Sequence, residues 1–127
     1  MSQEPGIAIV GASADRRKFG NIAVRAYLDQ GWRVYPVNPK GGEIEGVPVV
    51  SDVANLPTRL DRVSVYLPPD VLLGMLEALS AKAPRELWLN PGTESPEVLD
   101  RAAELGLAIV NACSIVDLGV SPRDYVS

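Results

Sequence analysis

The 127-residue sequence contains no histidine and one cysteine, Cys113. The first absence removes the commonest general base and the commonest zinc ligand. It also excludes Ser-His and Cys-His nucleophilic pairs. A single cysteine forms no internal disulfide, and without histidine it makes no transition-metal site. No apolar run approaches the length that spans a bilayer. The opening "MSQEPG" has neither the basic nor the apolar region of a signal peptide. A cytoplasmic location without a membrane partner is therefore expected. Positive charge is also in deficit overall, with a net charge of −4, which argues against a nucleic-acid partner.

What is present points to one globular domain over residues 1–127. Hydrophobic residues make up 46% of the chain, too many for a disordered one. Short β-branched runs alternate with helical spacing. "IAIVGA" (7–12), "RVYPV" (33–37), "RVSVYL" (62–67), "ELWLN" (86–90) and "LAIV" (107–110) read as buried strands. "VPVV" (47–50) reads as a short one, followed by a helical turn near Val53–Leu56. Apolar residues recur at helical spacing from Phe19 to Gln30, ended by Gly31. Leu72, Met75, Leu76 and Leu79 form one face of a helix after Pro68-Pro69. Ser95-Pro96 reads as an N-cap with proline at the first helical position, opening a helix that turns Val98, Ala102 and Leu105 inward. This alternation predicts an α/β fold: a single doubly wound, mostly parallel Rossmann-like sheet with its first strand central and helices on both faces.

In such sheets ligands bind beyond the carboxyl ends of the strands. Four polar or turn-rich segments fall there: Gly11-Ala12-Ser13, Asn38-Pro39-Lys40, Leu67-Pro68-Pro69 and Asn90-Pro91-Gly92. Turn residues are ordinary at strand ends, which accounts for any one segment better than for all four. The first loop lacks most of a dinucleotide fingerprint, because Ser13 and Arg16 stand where the second and third glycines belong. Its amides and the Ser13 hydroxyl suit a phosphate near a helix N-terminus. Arg16, Arg17 and Lys18 follow directly, and residues 1–40 hold six basic and three acidic side chains in an otherwise acidic protein. An NAD site wants an acid at the end of the second strand; here Lys40 stands instead, suited to a ribose phosphate such as NADP and coenzyme A carry. Solvated surface remains an equal reading of each cation taken singly.

"VGAS", "YPVNPK", "IEGVPV", "LPP" and "LWLNPG", in this order, resemble the small CoA-binding proteins with a Rossmann-like fold. The resemblance runs from about Ile7 to Cys113. The chain is also similar to the N-terminal CoA-binding domain of the succinyl-CoA synthetase α-subunit, matched at Pro39–Gly42, Gly46-Val47-Pro48-Val49 and Pro68-Pro69. The resemblance implies that the loop Gly11–Arg16 touches the CoA diphosphate and Lys40 the nucleotide end. It implies that Leu89-Asn90-Pro91, before Gly92, lines the pantetheine path, and it matches Cys113 to a cysteine near the family's chain end. Because the sequence stops soon after Cys113, ligase chemistry is not expected from it.

The expected function is non-catalytic binding of coenzyme A or an acyl-CoA, with the phosphates on the first loop, the ribose phosphate at Lys40, and pantetheine crossing Leu67-Pro68 and Asn90-Pro91-Gly92. Two alternatives stay open: an NADP-dependent oxidoreductase, and an interaction subunit that dimerises or docks on a partner enzyme. The partly apolar tail 114–127 suits such docking, and suits packing on its own sheet at least as well. Cys113 reads first as a small buried residue. At the strand-end edge it would also lie within reach of a CoA thiol.

Overall fold

The computed structural model describes residues 4–125. Five parallel strands form the main sheet. They are β1 (Gly6–Val10), β2 (Arg33–Val37), β5 (Arg62–Val65), β6 (Leu87–Leu89) and β7 (Ile109–Val110), in the order β2-β1-β5-β6-β7. β3 (Glu43–Ile44) and β4 (Val47–Pro48) make a separate antiparallel ribbon. Beyond it, Val50 forms one parallel bridge to Val37. Counting that bridge as a vestigial strand gives the Rossmann-like order, with β1 inside the sheet. Without it β1 lies second from the edge, so the strand expected over 47–50 is reduced to a ribbon and a single contact.

β1 shows why the sheet is covered on both faces. Its five residues are all buried. Successive side chains alternate between faces, so Ile7 and Ile9 join one apolar layer, while Ala8 and Val10 join the other. The first layer lies under α1 (Phe19–Asp29) and α5 (Ser114–Asp117). The second lies under α2 (Pro69–Leu73), α3 (Leu76–Ala81) and α4 (Pro96–Glu104). Burying each leucine, isoleucine or valine contributes about 1.5–3 kcal/mol, so this two-sided packing holds the strand ends in place.

The predicted helix after Pro68-Pro69 is two helices. Met75 N–H donates to the Leu72 carbonyl at 2.8 Å, a tight i−3 turn around Gly74, where glycine favours the interruption. Leu72, Leu76 and Leu79 still face the core, and Met75 is left half-buried. The α4 expectation holds in detail: Ser95 Oγ accepts from Val98 N–H at 3.1 Å, and Pro96 opens the helix. Pro36 sits inside β2 because the Pro36 carbonyl faces outward, accepting from Val50 N–H at 2.8 Å. The donor that proline lacks therefore points to the sheet's margin, not to β1.

The described part of the tail packs on its own domain. Leu118, Val120 and Tyr125 lie against the α1 layer, and the Tyr125 hydroxyl donates to Asp29 at 2.9 Å. Ser127 and Val126, at its end, fall outside the described residues, as do Met1–Gln3 of the opening segment. Among the described residues no helix is long and apolar enough to cross a membrane.

Candidate functional site

Register places the site. Val10 pairs with Val37 on one side and Val65 on the other, and Val65 pairs with Leu89. The next residues, Gly11, Asn38, Tyr66 and Asn90, therefore stand level at the carboxyl edge. Above that row lies a cleft of about 800 Å³. It is lined by Gly11, Ala12, Ser13 and Lys18 from the first loop, and by Asn38, Pro39 and Lys40 from the second. Leu67, Pro68, Pro91 and Gly92 line the remainder. With Pro69, twelve residues read from the sequence thus meet in one cavity. Phe19, Tyr66, Val71, Met75 and Thr93 also line it, and the sequence reading did not assign them to a site.

Two glycines let the first loop exist. Gly11 has φ +90°, and a Cβ there would lie 2.5 Å from the Tyr66 carbonyl oxygen. A Cβ on Gly20 would lie 2.4 Å from the Gly11 carbonyl oxygen. Gly20 therefore brings α1 tight against the loop, the task of the third glycine in a dinucleotide fingerprint. It stands four residues after the fingerprint position, where a fixed-spacing search does not find it.

The loop is then tied to its surroundings. Gly11 N–H and Ala12 N–H both donate to the Val37 carbonyl at 3.2 Å, so these two amides are engaged by the protein itself. Asn38 Nδ2 donates to the Ala12 carbonyl at 2.9 Å, and its Oδ1 accepts from Lys40 N–H at 2.8 Å. Ser13 Oγ accepts from Asp15 N–H at 3.0 Å, which leaves its hydroxyl hydrogen to donate. Buried Asn21 donates from Nδ2 to the Ser13 carbonyl at 2.9 Å and to Glu45 Oε2 at 3.1 Å. Its Oδ1 accepts from Arg25 Nε at 2.7 Å, and Arg25 Nη2 donates to the Arg16 carbonyl at 2.7 Å. Asn21, Arg25 and Glu45 are structural members of the loop that the sequence reading missed, because they come from a helix face and a hairpin turn.

The four cations are not equivalent. Arg17 makes paired contacts to Asp15 at 3.1 Å, and Arg16 lies 3.7 Å from Glu45. Neither arginine lines the cleft. The Arg17 side chain, then its amide, hold the Asp15 carboxyl at about 2 against an ordinary 3.8. Lys18 and Lys40 do line the cleft, and among the described residues neither has a carboxylate within ion-pair distance. No side chain caps α1, and its first turn holds no acid. Its positive end therefore adds to that of the lysines, a setting that favours an anion.

The opposite side of the cleft stands on a buried polar network. Asn90 Nδ2 donates to Ser64 Oγ at 2.8 Å and to the Val65 carbonyl at 2.9 Å, and its Oδ1 accepts from Ser114 N–H at 2.9 Å. Ser64 and Ser114 hydroxyls meet at 2.7 Å. The Tyr66 hydroxyl lies 3.2 Å from Ser114 Oγ. Burial pushes its proton affinity up, outweighing the lowering effect of those hydroxyl contacts. Asn90 is thus turned to the core, while Pro91, Gly92 and Thr93 face the cleft. Cys113 is half-buried against the α1 layer and outside the cleft lining.

Comparison with known proteins shows the family of the fold that carries this cleft. The family model for a CoA binding domain matches residues 6–119. YneT of Bacillus subtilis is 27% identical over 110 residues, 87% of this chain and 82% of that protein. The alpha subunit of ADP-forming acetate–CoA ligase II from Pyrococcus furiosus is 36% identical over 64 residues. That stretch is 50% of this chain and only 14% of the ligase subunit. Among solved structures, a conserved hypothetical protein of Pyrococcus furiosus superposes with a TM-score of 0.82 at 34% identity, covering 89% of this chain and 98% of that one. The chain belongs to the CoA-binding domain family.

Proposed function

We propose that this member of the CoA-binding domain family holds coenzyme A or an acyl-CoA across its carboxyl edge without transforming it. One observation carries the reading: a single cleft is cationic at one end and apolar at the other. Lys18, Lys40 and the uncapped start of α1 gather at one end. Leu67, Pro68 and Pro91 with Gly92 form the other. Coenzyme A has the same polarity, with phosphates at one end and a long, weakly polar arm. In this arrangement the Ser13 hydroxyl and α1 face the diphosphate, and Lys40 meets the ribose phosphate. The pantetheine arm lies over Leu67-Pro68 and Pro91-Gly92. Arg16 and Arg17 contribute to the surrounding field, and Asn90 supports the arm's floor from below. The Tyr66 hydroxyl meets Ser114 within the buried polar network, a structural setting that favours binding over an NADP-dependent reduction.

A second reading, service as a subunit that docks on a CoA-dependent enzyme, is favoured by the likeness to a ligase alpha subunit. The two are compatible, since a docked module still has to hold its ligand.

Calorimetry with CoA, dephospho-CoA and NADP tests the first reading. CoA is expected to bind tightest. Lys40→Ala is expected to weaken CoA by about 1–3 kcal/mol, the worth of a charge-assisted contact, while leaving dephospho-CoA nearly unchanged. Equal losses for both ligands, or a preference for NADP, overturn it.

A further inference from the structure

Charge along the main cleft runs one way. Among its described lining residues only Lys18 and Lys40 are charged, and both come from the β1–β2 side. The β5–β6 side is built from residues 63–81 and 86–100, which contain no lysine or arginine. Its lining there, including Leu67, Pro68, Pro91, Gly92 and Thr93, is uncharged. Thr93 is buried, and its hydroxyl donates to the Asn90 carbonyl at 2.7 Å. Carboxylates stand just beyond this lining, since Asp70 follows Pro69 and Glu94 follows Thr93. Glu94 Oε2 accepts from Gly92 N–H at 3.2 Å, which holds that carboxylate against the backbone of the cleft wall.

Two helix starts repeat the contrast. α1 has no side-chain cap and no acid in its first turn. At α4 the Ser95 hydroxyl accepts from Val98 N–H, and Glu97 stands in the first turn, so its positive end is already offset by the protein. Only the β1–β2 end of the cleft therefore favours an anion. A pantetheine arm that crosses Leu67-Pro68 to Pro91-Gly92 delivers the acyl group of a thioester beside Gly92. An uncharged acyl group meets proline and glycine there. One that ends in a carboxylate is brought next to Glu94 with no cation to pair it, and like charges repel. We propose that the site accepts CoA thioesters of uncharged acyl groups and discriminates against dicarboxylic ones, with Glu94 as the residue that sets the discrimination. The inference rests on the CoA reading above.

The test is calorimetry of the full chain with CoA and with two stable thioethers of equal size, S-carbamoylethyl-CoA and S-carboxyethyl-CoA, which differ by one charge. The natural protein is expected to bind the amide about five-fold tighter at low salt, the scale of one like-charge pair near a protein surface. The gap should close in about 1 M salt, where the screening length falls to about 3 Å. Glu94→Gln keeps an oxygen to accept from Gly92 N–H and should narrow the gap. Glu94→Lys should reverse it in favour of the carboxylate. Equal affinity for the two thioethers in the natural protein, a gap that survives high salt, or a gap unchanged in both variants overturns the assignment while CoA itself still binds. Binding of neither CoA nor either thioether overturns the CoA reading with it.

Discussion

The two halves of the carboxyl edge contribute in opposite ways. The β1–β2 half, Gly11–Lys18 with Asn38–Lys40, is mostly exposed and carries the cleft's cations. The β5–β6 half, Tyr66–Pro69 with Asn90–Thr93, is apolar where it meets the cleft and rests on the buried Asn90–Ser64–Ser114 network. Two asparagines, level in the sheet register, make the contrast concrete. Asn38 is half-buried and joins two loops. Asn90 is 2% exposed and joins β5, β6 and the start of α5. The same residue type at the same place therefore braces a cleft loop in one half and anchors the fold in the other. Charge on the exposed half can change without reaching the core, whereas a polar change in the buried half leaves partners with nowhere to turn.

The largest effect separates the two asparagines. Asn90→Ala removes three hydrogen bonds and leaves the Ser114 amide, the Val65 carbonyl and the Ser64 hydroxyl short of a partner. Stability measured by urea unfolding should fall by about 3–4 kcal/mol. Asn38→Ala should cost less, about 1–2 kcal/mol, since it removes two hydrogen bonds, one of them to the amide of exposed Lys40. Similar losses at both positions would break the comparison.

Gly20→Ala, next in size, sharpens it. The new methyl meets the Gly11 carbonyl oxygen, which belongs to backbone and cannot rotate away. The expected cost is about 1–3 kcal/mol, typical of overpacking. The displaced loop should also lower CoA affinity while the Asn90 network keeps its protection from amide exchange. Full affinity in a folded Gly20→Ala protein would mean that the loop's approach to α1 does not matter for the ligand.

The contrast also explains what could be read in the sequence. Strand–helix alternation exposes the fold class because burial on both faces writes itself into runs such as "IAIV" and "RVSV". The strand-end loops were legible because Gly, Pro and Asn mark them, and eleven of the twelve residues in the four strand-end segments line one cleft. Direction was not legible. Nothing local distinguishes an Asn90 facing inward from an Asn38 bridging loops, because the deciding partner, Ser114, comes from a segment 24 residues away. The break in the helix at Gly74 was hidden for another reason: its apolar spacing continues unbroken through Leu72, Leu76 and Leu79. Gly20, Asn21 and Glu45 escaped because they act through tertiary contacts.

The smallest effect tests whether the exposed half's positive charge is already partly engaged. Asp15 titrates at about 2 because Arg17 bonds its ionised form. A carboxyl depressed in the folded state stabilises the protein above its unfolded value near 3.9, and that support is lost as pH falls through about 2. Since Asp15 and Arg17 lie at the surface, solvent and salt keep the effect on stability small. The midpoint itself remains measurable by carboxyl chemical shift in an NMR titration. It should stand near 2 in the natural protein and move up toward the ordinary range in Arg17→Ala. An Asp15 midpoint already near 3.8 would mean that Arg17 is not held by its neighbour. The exposed half would then offer the ligand one cation more than the geometry assigns to it.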